Sequence, residues 1–386
     1  EPTRSWTVRA ERVHTAAGDV IEGGFVRVQD GVITAVGPGG GDGDGVLDVG
    51  AITPGFVDLS VRIDQGLASV EQVDEATPHV RVADSLDLFD PAWIGQARAG
   101  VTTAMVSPPD YNVIGGLSVV VKTSGPERLA DRVVAADVAL RGCFGTLPSR
   151  FNSPAFIRPT SIYVRRPTTR MGVEWVFRKS YYDALVALDE GRTYPGLDQL
   201  AATLRGELPL WVQASATQDI RTAIYLVEEF DIPRLVLDAA AEVLKEPELL
   251  VRSGAAVVLP PFAWQGRTAV DQGFLPWNTA AELAELGVPF ALSAHGNASD
   301  DGRLATQAAY AIRGGLSPEA ALEAVTIVPA RLAGVDDRVG SIEVGKDGDL
   351  VLWSGEPFAL TSSVVGVIAD GVLVLDPRGA APAEAE

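Results

Sequence analysis

The central part of the chain alternates short apolar runs with amphipathic stretches, and this alternation restricts the fold more than any other feature. Apolar strand candidates recur at residues 55–63, 102–107, 208–214, 234–237, 255–259 and 290–293. Helical periodicity is found at residues 91–99, 173–188, 218–229, 280–286, 303–313 and 318–325. Strands that alternate with helices favour a parallel sheet, because parallel neighbours need a long crossover connection and not a tight turn.

The length of this alternating region narrows the architecture further. About 290 residues is a suitable size for a (β/α)₈ barrel. A doubly wound sheet is the alternative, but no G-x-G-x-x-G motif follows an early strand. The glycine-rich residues 37–45 lie in a hairpin region, so we interpret them as a loop and not as a phosphate-binding turn. We therefore predict an α/β fold with a distorted (β/α)₈ TIM barrel over residues 55–340.

Both ends of the chain carry a different pattern, with short strand-like runs and hairpin turns. Asp30-Gly31 separates two such runs near the N-terminus, and Asp370-Gly371 separates two more near the C-terminus. Asp-Gly between alternating apolar residues is typical of a two-residue β-hairpin. We predict that residues 1–54 and 341–386 together form one small composite β-sandwich domain.

Charge and composition exclude several classes of partner and site. The 386 residues include 31 Lys and Arg against 51 Asp and Glu, a net charge of −20. This acidic protein is expected to repel nucleic acid and anionic membranes. The single cysteine, Cys143, leaves no intramolecular disulfide, and no run of 18 apolar residues is long enough to span a bilayer. The chain begins at Glu1, which leaves open a cytoplasmic location or export with removal of a leader.

Several motifs resemble those of the amidohydrolase superfamily, and the resemblance covers nearly the whole chain. Residues 51–59 (AITPGFVDL) are similar to the entry into the first barrel strand, and residues 99–103 (AGVTT) to the strand after the first helix. Residues 325–349 resemble the exit from the barrel into the small β-domain. The segments 112–116 (NVIGG) and 168–172 (TTRMG) indicate the imidazolonepropionase-like branch. The resemblance implies metal-dependent hydrolysis of C–N bonds other than peptide bonds, and it is compatible with a homo-oligomer.

The family's metal ligands are replaced at each matching position of this chain. The resemblance implies His-x-His on strand 1, a carboxylated Lys or Glu on strand 4, His-x-His on strand 5, His on strand 6 and a general-base Asp on strand 8. The residues at these vacated positions are Ser60, Arg62, Arg141, Gln213, Ser215, Ala239 and Ala294. Arginine stays protonated and has no lone pair for a metal. We therefore predict that no metal and no other cofactor is bound.

A census of histidines leads to the same prediction without any alignment. The chain has three histidines, His14, His79 and His295, and they are far apart in sequence. An imidazole cluster of the zinc type therefore cannot form within one strand motif. An oxygen-only site for Mg²⁺ or Ca²⁺, built from Asp238, Glu242, Asp300 and Asp301, remains an alternative.

These replacements leave three functions open. The first is a catalytically inactive homologue that serves as a binding or structural module. The second is a metal-independent hydrolase or lyase acting on a small amide or cyclic amide, with His295 and either Asp238 or Glu242 as acid and base. The third retains metal chemistry through oxygen ligands. A Ser-His-Asp hydrolase is disfavoured because no G-x-S-x-G turn occurs.

Arg62 and Arg141 suggest a ligand for the vacated pocket. If both guanidinium groups enter it, their charge is balanced either by carboxylates such as Asp64, Asp238 or Glu242 or by a small anionic ligand. On the second alternative, carboxylates, sulfate or phosphate should raise the melting temperature by a few degrees at fixed ionic strength, and Arg62→Ala should abolish the rise. A thermal-shift screen of both proteins measures this. Equal shifts in the parent protein and in Arg62→Ala would show that Arg62 binds no anion.

Overall fold

A computed structural model describes residues 4–41, 45–63, 69–71, 73–126, 128–149, 152, 166–262, 273–296 and 303–379 of the chain. The strands are β1 (Trp6–Val13), β2 (Ile21–Gln29), β3 (Val32–Pro38), β4 (Val46–Pro54), β5 (Phe56–Val61), β6 (Val101–Val106), β7 (Ile114–Leu117), β8 (Val119–Lys122), β9 (Val133–Ala135), β10 (Leu140–Cys143), β11 (Leu210–Gln213), β12 (Leu235–Asp238), β13 (Ala256–Leu259), β14 (Phe290–Leu292), β15 (Leu350–Trp353), β16 (Val364–Ala369) and β17 (Val372–Leu375). The helices are α1 (Ala92–Arg98), α2 (Leu129–Arg132), α3 (Arg170–Asp189), α4 (Leu197–Leu204), α5 (Thr217–Glu229), α6 (Pro247–Ser253), α7 (Thr279–Glu285), α8 (Leu304–Arg313), α9 (Pro318–Glu323) and α10 (Ile327–Ala333).

The strands of both termini join in one sheet, in the order β17-β16-β15-β4-β1-β2-β3. Strand β4 lies at its centre, parallel to β1 on one side and antiparallel to β15 on the other. Both predicted hairpins are confirmed, since β2 pairs with β3 and β16 with β17 in antiparallel fashion. Asp30-Gly31 and Asp370-Gly371 all have positive φ, which a primed turn requires. We predicted a sandwich of two sheets here, whereas in the described residues hydrogen bonds connect the seven strands continuously.

The strands of the middle region form two further sheets. One has the order β14-β13-β12-β11-β10-β7, with β10 to β14 all parallel and β7 antiparallel. The other has the order β5-β6-β8-β9, with β5 and β6 parallel. The predicted strands and helices of this region are confirmed within about three residues of their bounds, so the α/β class holds. Closure into a single ring of eight strands stays a prediction.

A short segment after α9 bridges the edges of these two sheets. The backbone nitrogen of Val57 in β5 donates to Val325 O at 2.9 Å, and that of Leu292 in β14 donates to Ala324 O at 3.0 Å. Helix α10, which follows, packs against both β5 and β14. Strands β5 and β14 are far apart in sequence, but the segment Ala324-Val325 brings their edges close together.

Alternation along the strands decides which side chains reach the interior. In β11, Leu210 and Val212 pack in the large cluster shared with the helices, whereas Trp211 packs in a second cluster with Val57 and Val258. Side chains two residues apart share a face. The residue two positions after Trp211, Gln213, therefore lies on the inner face at the carboxyl end of its strand.

A buried ionic group ties the middle region to the terminal sheet. Lys122 at the end of β8 places its Nζ 2.8 Å from Asp347 and 2.5 Å from Asp349, and all three side chains are largely buried. Asp349 Oδ1 also accepts from the backbone nitrogen of Asp370, at the turn between β16 and β17. Burial alone would lower the pKa of Lys122, but the two carboxylates raise it above its usual value.

None of the helices in the described ranges combines the length and apolar character that crossing a membrane requires.

Removing the Lys122 ammonium should weaken this junction strongly. Lys122→Met leaves the buried Asp349 without its Lys122 counter-ion, whereas Asp347 keeps an ion pair with Arg338 at 2.8 Å, so we expect the free energy of unfolding to fall by about 3 kcal/mol. Lys179→Met is the matched control, because Lys179 pairs with Asp183 at the exposed surface and its loss should cost no more than about 1 kcal/mol. Urea unfolding followed by tryptophan fluorescence measures both. Similar losses would show that the buried group does not stabilise the junction.

Candidate functional site

The predicted site positions lie within or just after the strands β5, β10, β11, β12 and β14. Ser60 belongs to the end of β5, Arg141 to β10, and Gln213 is the last residue of β11. Ala239 follows β12 directly, and Ala294 comes two residues after β14. Because parallel strands end on the same edge of a sheet, these residues share one end of the structure. This shared end is called the strand-end site below.

The guanidinium of Arg141 is the centre of the strand-end site. Its Nη1 lies 2.6 Å from Asp238 Oδ2, and its Nη2 lies 2.7 Å from Asp110 Oδ1. Its Nε also donates to Asp110 Oδ1 at 2.9 Å. The three side chains are almost fully buried. Although burial opposes the charge, the two carboxylates raise the pKa of Arg141 above its usual value, so the group is permanently cationic.

Arg62 approaches the same group from β5. Its Nη2 lies 3.3 Å from Asp110 Oδ2, and its side chain is 34% exposed. We expected Asp64, Asp238 or Glu242 to balance the arginines. Asp238 does so for Arg141, while Asp64 lies outside the described residues. The two arginines thus face two carboxylates, Asp110 and Asp238, and their charges balance without an added anion.

Asp58 occupies a separate polar pocket beside this network. Its carboxylate accepts from the Ser293 hydroxyl at 2.6 Å and from the backbone nitrogens of Ala294 at 3.0 Å and Ser60 at 3.1 Å. Burial raises the pKa of Asp58, and these hydrogen bonds counteract part of the rise. Ala294, which we predicted to stand at the position of the family's general base, contributes a backbone N–H to the Asp58 carboxylate.

Asp238 is held from three sides. Besides Arg141, the Ser60 hydroxyl donates to Asp238 Oδ2 at 3.0 Å, and the backbone nitrogen of Ala239 donates to Oδ1 at 2.8 Å. Ala239 itself has a positive φ of 55°. Ser60 and Ala239 therefore donate hydrogen bonds to the carboxylate that pairs with Arg141.

His295 lies at the strand-end site. Its Nε2 is buried and has no hydrogen-bond partner among the described residues, and its backbone has a positive φ of 52°. Burial lowers the pKa of His295 well below its usual value, and the positive charges of Arg62 and Arg141 lower it further. Asp110 opposes this only in part. The imidazole is therefore neutral near neutral pH.

Glu242 does not join this group in the contacts of the described residues. Its carboxylate accepts from Thr217 Oγ1 at 2.8 Å and from the Thr217 nitrogen at 3.1 Å, and Lys245 lies 2.9 Å away. Burial works against ionisation, but these partners lower the pKa of Glu242 to about 2. A carboxyl group with so low a pKa is a weak base at neutral pH.

Gln213 and Ser215, at and just after the end of β11, make uncharged contacts. Gln213 Oε1 accepts from the Cys143 thiol at 3.1 Å, and Ser215 Oγ accepts from the backbone nitrogen of Gly273 at 3.2 Å. Cys143 also contacts Asp110 O at 3.4 Å. Gln213 and Ser215 thus accept hydrogen bonds from neighbouring polar groups.

Sequence reasoning missed Asp110 and Cys143. Asp110 follows Pro108-Pro109 shortly after β6, so it is an acidic residue at the carboxyl end of a strand, like the residues that were selected. An acidic residue at the carboxyl end of a strand is therefore the sequence feature that could have identified Asp110. Its pairing with Arg141, 31 residues further along the chain, is a tertiary contact that no local pattern predicts.

The donor set of the strand-end site does not fit a divalent metal. The position expected to supply a metal-bridging ligand carries a guanidinium, and that group occupies the carboxylate oxygens that a cation would need. Among the described residues, no group of three or more His, Cys, Asp or Glu side chains is placed to hold an ion. For the oxygen-ligand alternative, Glu242 is engaged elsewhere, and Asp300 and Asp301 lie outside the described residues.

Removing the central guanidinium should destabilise the protein. Arg141→Met leaves Asp110 and Asp238 buried without a full counter-charge, so we expect a loss of about 3–5 kcal/mol in urea unfolding at neutral pH. Arg178→Met, which breaks an exposed pair with Glu229, should cost about 1 kcal/mol or less. A deficit equal to that control would contradict the network.

Comparisons with known proteins point to one family. An amidohydrolase family model matches residues 277–374. Amidohydrolase tasK of Hapsidospora irregularis is 26% identical over 373 residues, which cover 84% of this chain and 36% of tasK. Imidazolonepropionase of Shewanella frigidimarina is 55% identical over 38 residues, 10% of this chain and 9% of that protein. The chain thus spans about a third of tasK and matches only a short part of the imidazolonepropionase.

A solved structure extends the likeness to nearly the whole chain. The amidohydrolase from Thermotoga maritima MSB8 is 30% identical, with a TM-score of 0.81, and the match covers 96% of this chain and 100% of that one. This agrees with the motifs at both ends of the strand–helix region and with the order of the strands. The chain belongs to the amidohydrolase superfamily.

Proposed function

We propose that this member of the amidohydrolase superfamily is a catalytically inactive homologue with respect to metal-dependent hydrolysis, and that it serves as a binding or structural module. One observation carries the proposal: the Arg141 guanidinium lies between Asp110 and Asp238 at 2.7 and 2.6 Å. A fixed positive charge thus holds two acidic side chains together at the strand ends, where the resemblance to the family implies a metal ion.

The physical argument is one of competition for the same oxygens. A divalent cation near Asp238 would face a guanidinium that cannot lose its proton, and like charges in a buried site repel strongly. To bind there, the cation would have to displace Arg141 from both carboxylates and leave it without a counter-ion. That cost makes the strand-end site selective against metals.

The proposed architecture is a distorted (β/α)₈ barrel over residues 55–340 with a composite β-domain from residues 1–54 and 341–386. The bridge from Val325 to β5 and from Ala324 to β14 supports a closed arrangement. The continuous sheet around β4 supports a single domain made from both termini. Assignment to the imidazolonepropionase-like branch and self-association are parts of the same proposal.

We propose that a small anionic ligand at the strand-end site would bind to Arg62 and not to Arg141. Arg141 is already paired with two carboxylates, so it has little to offer an anion. Arg62 has one carboxylate contact at 3.3 Å and remains about one third exposed. A carboxylate or phosphate that approaches from solvent would therefore meet Arg62 first.

His295 favours a second candidate function, a metal-independent hydrolase or lyase acting on a small amide or cyclic amide. Its imidazole is neutral, and its Nε2 has no partner in the ranges that the structure describes, as a general base requires. Asp238 is ion-paired and Glu242 is anchored to Thr217 and Lys245, so neither is free to assist by the contacts described. The activity would then rest on His295 alone.

Metal analysis and turnover together test the proposal. Protein purified without chelator should contain less than about 0.1 equivalent of Zn, Mn, Fe, Co or Ni, and EDTA should shift the melting temperature by less than about 1 °C. A panel of amides, lactams and cyclic ureas should show no turnover, with or without added zinc. Stoichiometric metal, or turnover that added metal stimulates, would overturn the inactive assignment.

His295→Ala is the control that separates the two candidates. Metal-free turnover that His295→Ala abolishes would favour the second function. Turnover that this variant retains would indicate a contaminating enzyme. His79→Ala, at an exposed histidine in a loop, is the matched comparison for the loss of an imidazole.

A further inference from the structure

A cavity lies between the terminal sheet and the last helices of the middle region, away from the strand-end site. Its volume is about 290 Å³. It is bounded by the turn between β1 and β2, by α9 and α10, and by the loop after β15. The lining side chains used below are His14, Glu319, Leu322, Glu323, Glu356 and Phe358.

This cavity is at the opposite end of β5 from the strand-end site. Phe358 stacks on Phe56, the first residue of β5, with ring centroids 6.2 Å apart. Ser60 and Arg62 lie at the other end of that strand. A strand rises by roughly 3.3 Å per residue, so about 13–20 Å of strand separates the two places. The cavity is therefore a separate site, and an inference about it does not depend on the proposed function.

Two hydrogen-bond acceptors meet at the wall of the cavity. His14 Nε2 is buried and has no hydrogen-bond partner within the described part of the chain, and it lies 3.5 Å from Glu356 Oε1. The other carboxylate oxygen of Glu356 is engaged by Arg12. Burial lowers the pKa of His14, and Glu356 offsets only part of this, so the imidazole is neutral near neutral pH. A neutral imidazole can accept a hydrogen bond at Nε2.

The rest of the lining adds negative charge and apolar surface. Three glutamates, Glu319, Glu323 and Glu356, face one arginine, Arg331. Leu322 and Phe358 supply apolar walls together with Pro318, Pro357 and Val20. Such a lining favours a cation that carries an apolar group, because the charge meets carboxylates while the remainder is removed from water.

We propose that this cavity binds a small primary ammonium compound with an apolar or aromatic body. The ammonium donates one hydrogen bond to His14 Nε2 and another to Glu356 Oε1, and its third donor faces the glutamates of α9. The body packs on Leu322 and Phe358. Because the ligand touches β1, α9 and the loop after β15, it links the terminal sheet to the middle region.

The test compares three probes of similar shape and different charge. Isothermal titration at pH 7.5 is carried out with 2-phenylethylamine, 2-phenylethanol and phenylacetate on the whole protein. We expect saturable binding of the amine that is at least about tenfold tighter than that of the alcohol, and no binding of the acid. Equal binding of amine and alcohol, or no saturable binding of the amine, would overturn the proposal.

Variants locate the site. His14→Leu and Glu356→Gln should each weaken binding of the amine by about fivefold or more, since the first removes an acceptor and the second removes the negative charge that faces the ammonium. Glu207→Gln is the matched control, because Glu207 is an exposed glutamate paired with Arg205 and does not line the cavity. Should His14→Leu fail to fold, Glu356→Gln decides the outcome. Unchanged affinity in a folded Glu356→Gln protein would show that the amine binds elsewhere.

Discussion

The ion pairs of Arg141 are the interaction on which the interior ends of the strands depend. Its guanidinium joins Asp110, which follows β6, to Asp238 at the end of β12, while Ser60 from β5 donates to the same Asp238. Side chains from four strands or their ends are thus brought to one buried point. A buried charge is tolerated only when it is paired. In this chain the cation that joins these strand ends is the Arg141 guanidinium, which belongs to the chain itself.

A second constraint acts at the other side of the molecule, where the two termini meet. Strand β4 needs β1 on one edge and β15 on the other, so neither terminus alone completes the sheet. Lys122 adds a buried charge that requires Asp347 and Asp349 from the C-terminal part. The cavity beside His14 lies along this junction. The protein therefore has two separate buried ionic groups, one around Arg141 at the strand-end site and one around Lys122 at the junction with the terminal sheet.

The sequence predicted most of the local structure but only part of the site. Strand and helix periodicity located β5, β6 and β11 to β14, and Asp-Gly pairs located both hairpins, because those signals are local. Helices α4 and α6 were missed, although α7, which is as short as α6, was predicted. The small number of histidines could be read from composition. Asp110 as partner of Arg141, and Glu242 as partner of Thr217, depend on tertiary contacts that local patterns do not contain.

Anomalous X-ray diffraction from crystals grown with zinc tests the central claim most directly. Data collected above and below the zinc absorption edge show whether a metal occupies the strand ends. The account predicts no anomalous peak near Asp110 or Asp238 and continuous density for the Arg141 guanidinium between the two carboxylates. An anomalous peak within about 2.0–2.2 Å of an Asp238 oxygen, with Arg141 turned away, would contradict it.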